Sequence, residues 1–270
     1  MRILFLGDLM GRSGRSAVID ALPELRKSLK LDFVIVNGEN SASGFGITSK
    51  IANQVLEAGA DVISGGNHSF DQREIMSHMN AGTILRPLNY PEGTPGKGFG
   101  LYDAPRGKKI LVVNAMARVF MNPLDCPFRA IDTVLKQYRL GNSLAAIVVD
   151  FHGEATSEKM AMGHYLDGRV SLVVGTHSHV PTADCQILPA GTGYQTDAGM
   201  CGDYNSVIGM KKEEPISRFL TKMNKERYSP ADGEATICGT FIETDDQSGL
   251  TKRIEPLRIG PRLMEHIPQV

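Results

Sequence analysis

Seven side chains suited to metal or phosphate chemistry stand directly after short apolar runs in this 270-residue sequence. Residues 2–6 lead into Gly7-Asp8, and residues 33–36 into Asn37-Gly38-Glu39-Asn40. Residues 62–64 lead into Gly65-Gly66-Asn67-His68, and residues 145–149 into Asp150-Phe151-His152-Gly153-Glu154. Residues 170–174 lead into Gly175-Thr176-His177-Ser178-His179. The donors on offer are oxygen from Asp8, Glu39, Asn40 and Asn67, and nitrogen from His152, His177 and His179. Mixed carboxylate and imidazole ligation suits manganese, iron or zinc better than calcium or copper(I). The set is too large for one tetrahedral zinc. It suits two ions roughly 3.5–4 Å apart that share a bridging carboxylate and a bridging hydroxide. Two carboxylates facing two divalent ions leave a surplus of positive charge, which favours a phosphate anion.

Taken singly, an Asp or Asn after a strand is most often a turn or capping residue, and a lone His152 or His68 is most often structural. The weight lies in the combination. In an extended segment His177 and His179 would point their imidazoles the same way. His78, His164 and His266 fall outside the pattern and read as ordinary polar or structural residues. Competing signatures are missing. Residues 7–14 lack both the Lys-Ser/Thr of a P-loop and the GxGxxG order of a dinucleotide turn, and no HExxH or GxSxG occurs.

For these groups to meet, the runs that precede them must be strands of one parallel system, because ligands bind at the carboxyl edge of such sheets. β-Branched apolar runs do alternate with helix-period segments, the pattern of an α/β protein. Helices are expected over 15–29, where Pro23 should kink or shorten the element, around Ile47, Ile51, Val55 and Ala58 with Gly59 as terminator, through Ile75, Met76 and Met79, and through Ile131, Val134, Leu135 and Tyr138. A further strand is expected over 110–114. Residues 82–107 and 191–209, rich in Gly and Pro, read as loops, and the pocket walls are expected within 82–129 and 191–209. Residues 240–244 and 250–257 read as a hairpin. No repeat or linker divides the chain, so one domain over residues 1–270 is expected.

Composition narrows the class further. The hydrophobic fraction is 41%, the charged fraction 22% and the net charge −1, which gives no electrostatic footprint for duplex nucleic acid or an anionic membrane. No apolar run approaches the length needed to cross a bilayer. Four widely spaced cysteines, without a CxxC pair, fit reduced thiols and a cytoplasmic location.

The motifs GDLMG, NGEN, GGNHSF, FHGEATSEK and GTHSHVPTAD, in this order over nearly the whole chain, resemble the calcineurin-like metallophosphoesterases and specifically their bacterial YmdB-like branch. The resemblance implies a sandwich of two β-sheets flanked by helices. The wider superfamily opens with GDxHG, whose histidine binds the first metal; here Met10 stands at that position. By resemblance, Asp8, Glu39, Asn40 and His179 hold metal one, with Asn40 replacing the missing imidazole. Glu39, Asn67, His152 and His177 hold metal two, with Glu39 bridging. The hardened first site favours two iron or manganese ions over zinc. The implied activity is phosphodiester hydrolysis, with cyclic nucleotides such as 2′,3′-cyclic AMP as substrates and RNA ends as a broader class. His68, next to the ligand Asn67, is expected to protonate the departing oxygen, since imidazole titrates near neutrality. A metal- or nucleotide-binding regulatory protein with incidental hydrolysis is the alternative. No membrane partner is expected, and a two-fold homodimer is the simplest oligomer.

Overall fold

The computed structural model describes residues 1–79, 81–141, 144–223 and 226–270. The chain opens with β1 (Arg2–Leu6), the short β2 (Asp8–Leu9) and α1 (Gly11–Ser28). Then come β3 (Phe33–Asn37), α2 (Ser49–Glu57), β4 (Val62–Ser64) and the single turn α3 (Met76–Met79). The middle of the chain supplies β5 (Phe99–Ala104), β6 (Lys108–Met116), α4 (Pro127–Leu135), β7 (Leu144–His152), α5 (Thr156–Tyr165) and β8 (Leu172–Thr176). The last part holds β9 (Gln186–Ile187), β10 (Gly193–Gln195), β11 (Met200–Cys201), α6 (Glu213–Thr221), β12 (Ile237–Thr244) and β13 (Thr251–Ile259).

Two main sheets form. One has the order β13-β12-β1-β3-β4, the other β5-β6-β7-β8-β10-β9, and β11 pairs separately with β2. β1, β3 and β4 are parallel, as are β6, β7, β8 and β10. The sheets face each other because alternate strand residues point to opposite faces. Ile3, Phe5, Phe33 and Ile35 pack with Ile110, Val112, Val148, Leu172 and Val174 in the layer between the sheets. Their neighbours Leu4, Leu6, Val34 and Val36 turn outward onto Val18, Leu22, Ile51 and Val55 of α1 and α2. On the far side, Val113, Ile147, Val149 and Val173 pack on Ile131, Val134 and Met162 of α4 and α5. The result is the expected α/β sandwich, with helices on both outer faces.

Several expectations are corrected. α1 begins at Gly11 and runs unbroken past Pro23. Its buried face, with Val18, Leu22 and Leu25 at helical spacing, outweighs the lost N–H at Pro23. Residues 82–107 are not all loop: β5 pairs antiparallel with β6. As an edge strand it is partly exposed, so it lacks the apolar run by which the central strands announce themselves. Residues 191–209 likewise hold β10 and β11. The hairpin is present as β12 and β13; Asp245 Oδ1 accepts from Gln247 N and Ser248 N in its turn. Among the described residues, no helix is long and apolar enough to cross a membrane.

Candidate metal centre

β3, β4, β7 and β8 end at one edge, and the buried carboxylate of Asp150 ties those ends together. Its Oδ2 accepts from Ser64 Oγ at 2.6 Å and Asn37 Nδ2 at 3.1 Å, and its Oδ1 accepts from Thr176 Oγ1 at 2.7 Å. Asn37 Nδ2 also donates to Gly65 O, while Asn37 Oδ1 accepts from Glu39 N. The loops bearing Glu39, Asn67 and His177, and the end of β7 that bears His152, thus spring from one hydrogen-bonded cluster. Burial pushes the Asp150 carboxyl up to about 7.

Above it, three of the expected donors crowd onto a fourth. His152 Nε2 lies 2.8 Å from Asn67 Oδ1, 3.0 Å from Glu39 Oε1 and 3.1 Å from His177 Nδ1. Ligand atoms of Glu39, His152 and His177 all fall within 4.8 Å of one another, a set able to hold a metal ion. His152 Nδ1 contacts Thr176 Oγ1 at 2.9 Å; because Thr176 Oγ1 donates its hydrogen bond to Asp150 Oδ1, Nδ1 is the donor there, and Nε2 faces the cluster. Burial disfavours charge on both Glu39 and His152, yet their mutual attraction prevails. It holds the Glu39 carboxyl down at about 2 and raises His152 to about 9. Burial and the neighbouring His152 depress His177 to about 3, which leaves its ring neutral with a lone pair to offer. Gly66 makes room for this group: a Cβ there would lie 2.2 Å from Glu39 Oε2 and 2.5 Å from His152 Nε2.

The second set lies beside the first. Asp8 is fully buried and its Oδ2 accepts from His177 N at 3.2 Å, but its Oδ1 has no hydrogen-bond partner. His179 Nε2 lies 4.0 Å from that oxygen and 3.3 Å from Asn40 Oδ1. Asn40 Nδ2 donates to Gly44 O, which turns its carbonyl oxygen to the site. His179 Nδ1 donates to Ile208 O at 2.7 Å, which keeps Nε2 free of the proton. Met10 is buried against Met200 and Met210, as a packing residue.

All seven expected donors and His68 are therefore brought together, but not wholly as expected. His177 and His179 do not alternate in an extended strand. β8 ends at Thr176, and both histidines take positive φ, 97° and 64°, a costly region for non-glycine residues. The turn sends His177 toward Glu39 and His152 and His179 toward Asp8 and Asn40. A buried ion pair supports it: Asp197 Oδ2 accepts from Lys159 Nζ at 2.8 Å and from Ser178 N at 3.1 Å. His68 N donates to Glu39 Oε2, and its Nδ1 is paired with Asp71 Oδ2 at 2.7 Å. Of the other histidines, His78 meets Ser49, His266 meets Glu255, and His164 is exposed on α5.

A cavity of about 440 Å³ opens onto these groups, and its lining includes Glu39, Asn40, His68, Glu154, His177, Ser178 and His179. Its remaining wall comes from Gly44, Phe45, Val207, Ile208, Met210, Pro215, Phe219 and Tyr228. Residues 82–129, expected to form part of the wall, contribute none of these. Asp71, Asp150, the Lys159–Asp197 pair and the wall residues after 209 carry no signature in one sequence, since each gains meaning only from a distant neighbour.

The residues fit divalent metal ions. Burial raises the lone Asp8 carboxyl to about 6 and leaves one oxygen unpaired, a cost that a cation removes. Among the described lining residues there is no Lys or Arg. Comparisons with known proteins show similarity to phosphoesterases. A family model described as YmdB-like protein matches residues 4–257. A 2′,3′-cyclic-nucleotide 2′-phosphodiesterase of Bacillus subtilis is 45% identical over 261 residues, 96% of this chain and 97% of that protein. The crystal structure of a phosphatase from Mycoplasma pneumoniae superposes with a TM-score of 0.89 at 32% identity, covering 96% of this chain and 93% of the other. The calcineurin-like phosphoesterase YfkN of Bacillus subtilis shares the fold, with a TM-score of 0.55 at 10% identity over 96% of this chain and 90% of that one.

Proposed function

The chain belongs to the YmdB-like family, and from that premise we propose that it is a dinuclear-metal phosphodiesterase acting on 2′,3′-cyclic nucleotides. The observation that carries the proposal is the meeting of Asn67, Glu39 and His177 at His152 Nε2, within 3.1 Å, beside the unpaired Oδ1 of Asp8. Asp8, Glu39, Asn40 and His179 would hold one ion. Glu39, Asn67, His152 and His177 would hold the other, and iron or manganese suits the oxygen-rich set best. Bound divalent ions supply Lewis acidity to the phosphoryl group and activate water for attack.

The chain's own groups do the rest. Asp150 and Thr176 fix the ring of His152, and Gly44 O and Ile208 O fix Asn40 and His179, so the donors need no reorganisation. Opening a 2′,3′-cyclic phosphate adds the elements of water across one P–O bond: hydroxyl to phosphorus, proton to the ribose oxygen that leaves. A ribose alkoxide is a poor leaving group, so that proton matters. His68 is the donor we assign, from Nε2, since Nδ1 is held by Asp71. Residues 1–270 act together as one metallophosphoesterase domain, in keeping with the hydrophobic layer shared by both sheets. RNA ends bearing the same cyclic phosphate form a broader substrate class. The free cysteines suit a reducing cytoplasm.

The test compares a 2′,3′-cyclic nucleotide with an aryl phosphate monoester, using manganese-loaded protein and Asn67→Ala as control. Diester turnover abolished by Asn67→Ala is expected. Turnover of the monoester alone would replace the substrate class, and full metal loading without turnover on either would favour a nucleotide-binding regulatory role.

A further inference from the structure

The cavity is two-faced. The metal-ligand candidates and His68 occupy one end, while Phe45, Val207, Ile208, Met210, Pro215, Phe219 and Tyr228 form the other. We propose that this apolar end is a nucleobase subsite that holds the base by stacking and desolvation, without reading its identity. The inference rests on the phosphodiesterase reading above and extends it to the part of the substrate that does not react.

Three observations carry it. First, the wall is aromatic where it meets the chemistry. The Phe45 ring stands edge-on to the His68 ring, with centroids 5.1 Å apart and planes at 80°. A base against Phe45 therefore places its ribose beside the group assigned to protonate the ribose oxygen. The loop turns sharply on either side of Phe45. Gly44 and Gly46 on either side both take positive φ, and Gln72 Nε2 donates to Phe45 O at 2.8 Å.

Second, large apolar groups are left facing water at the cavity mouth. Phe219 on α6 is 74% exposed and Ile208 is 55% exposed. Tyr228 also lines the cavity, and the guanidinium of Arg218 on α6 lies 4.1 Å from its ring centre, a cation–π contact that holds the ring in place. A flat, uncharged aromatic ligand covers such surfaces at little entropic cost.

Third, the apolar end lacks the means to read a base edge. Among its described side chains, only the Tyr228 hydroxyl can form a hydrogen bond. Asn, Gln, Asp, Glu, Lys and Arg, the usual readers of base edges, are not among the described residues lining that end, and Arg218 and Lys222 nearby lie against the Tyr228 and Phe219 rings. Every base has a π-face, so stacking discriminates weakly among them.

The test measures kcat/KM on the 2′,3′-cyclic phosphates of adenosine, guanosine, cytidine and uridine, and on base-free ribose 2,3-cyclic phosphate. Wild-type protein, Phe219→Ala and Phe45→Leu are compared, with adenosine binding followed by NMR as a readout independent of turnover. The four nucleotides should agree within about tenfold and exceed the base-free diester by about tenfold or more. Phe219→Ala, an exposed position that should fold normally, should raise KM for the nucleotides about five- to tenfold, weaken adenosine binding and leave the base-free diester unchanged. Phe45→Leu should weaken nucleotide and adenosine binding likewise and, because it loosens His68, lower kcat on every diester, the base-free one included. Equal turnover of base-free and base-bearing diesters would overturn the subsite while leaving the phosphodiesterase reading intact. A failure to hydrolyse any of the diesters would overturn that reading itself. Dissociation of a dimer by Phe219→Ala, with kinetics unchanged, would assign the exposed wall to self-association and also overturn the subsite.

Discussion

At the residue scale, the centre is a set of lone pairs whose protons have been directed elsewhere. Nδ1 of His179 is committed to Ile208 O, Nδ1 of His152 to Thr176, and the amide nitrogen of Asn40 to Gly44 O. Each commitment leaves the opposite atom free to face a cation. His68 differs, because its Nδ1 meets Asp71 and its backbone N–H meets Glu39, which suits a proton donor better than a ligand. Substituting His68→Ala should lower turnover of ribose diesters by about 10²–10⁴-fold with metal content unchanged. A bis-nitrophenyl diester, whose leaving group needs no proton, should lose far less. Equal losses on both substrates, or loss of metal, would remove His68 from the general-acid role. Asp8, Glu39, Asn67 and the three histidines are legible in the sequence because each closes an apolar strand. Asp71 is not, since an acidic residue three positions past a histidine is unremarkable until the turn folds it back onto the ring.

At the scale of elements, what matters is that four strand ends share one anchor. Asp150 stands in β7, yet its partners come from the ends of β3, β4 and β8. In the sequence Asp150 merely follows an apolar run, and nothing there assigns it a role, for a buried carboxylate declares its partners only in three dimensions. Replacing Asp150 with Asn keeps its size and removes its charge, so Thr176 and Ser64 lose an acceptor that suits them both. Metal affinity should fall about 10–100-fold, measured by chelator competition, with the protein still folded. Asp150→Ala should also cost about 1–3 kcal/mol for each buried donor left unpaired, read from denaturant unfolding. Undiminished affinity in Asp150→Asn would show that the anchor is dispensable. The edge strand β5 and helix α6 are hidden in the sequence for a related reason. Both are amphipathic and partly exposed, and in α6 Pro215 and Phe219 line the cavity while Ile216 and Leu220 are exposed, so no continuous buried run marks either element.

At the scale of the whole molecule, the two sheets converge their carboxyl ends on a buried, acid-rich edge that is stable only when charge is balanced. Without metal, a proton on His152 supplies part of that balance, and its raised pKa of about 9 ties stability to pH. A histidine whose pKa rises on folding contributes stability that is fully present below about 6.5, and that stability is lost as pH rises through about 9. Metal-free protein should therefore lose stability between pH 6.5 and 9, measured by unfolding at each pH. Metal-loaded protein should not, because the ion takes the proton's place. The same exchange predicts proton release when metal binds at about pH 7, seen as buffer-dependent heat in titration calorimetry, and a binding heat that is the same in buffers of different ionisation enthalpy would contradict it. The sandwich itself is legible throughout, because strand alternation and motif order both survive in one sequence. Most of the mouth of the cavity is not: of residues 45, 207, 208, 210, 215, 219 and 228, which share no motif, only 207 and 208 fall within the stretches expected to form its walls. The central claim is that two ions, one for each donor set, are needed for diester hydrolysis. Its most direct test adds manganese stepwise to metal-free protein while following both bound metal and hydrolysis of 2′,3′-cyclic AMP. Activity should appear as the second equivalent binds, and Asp8→Asn and Asn67→Ala should each bind one ion fewer and lose activity. Full activity at a single ion per chain, or two bound ions in either variant, would contradict the account.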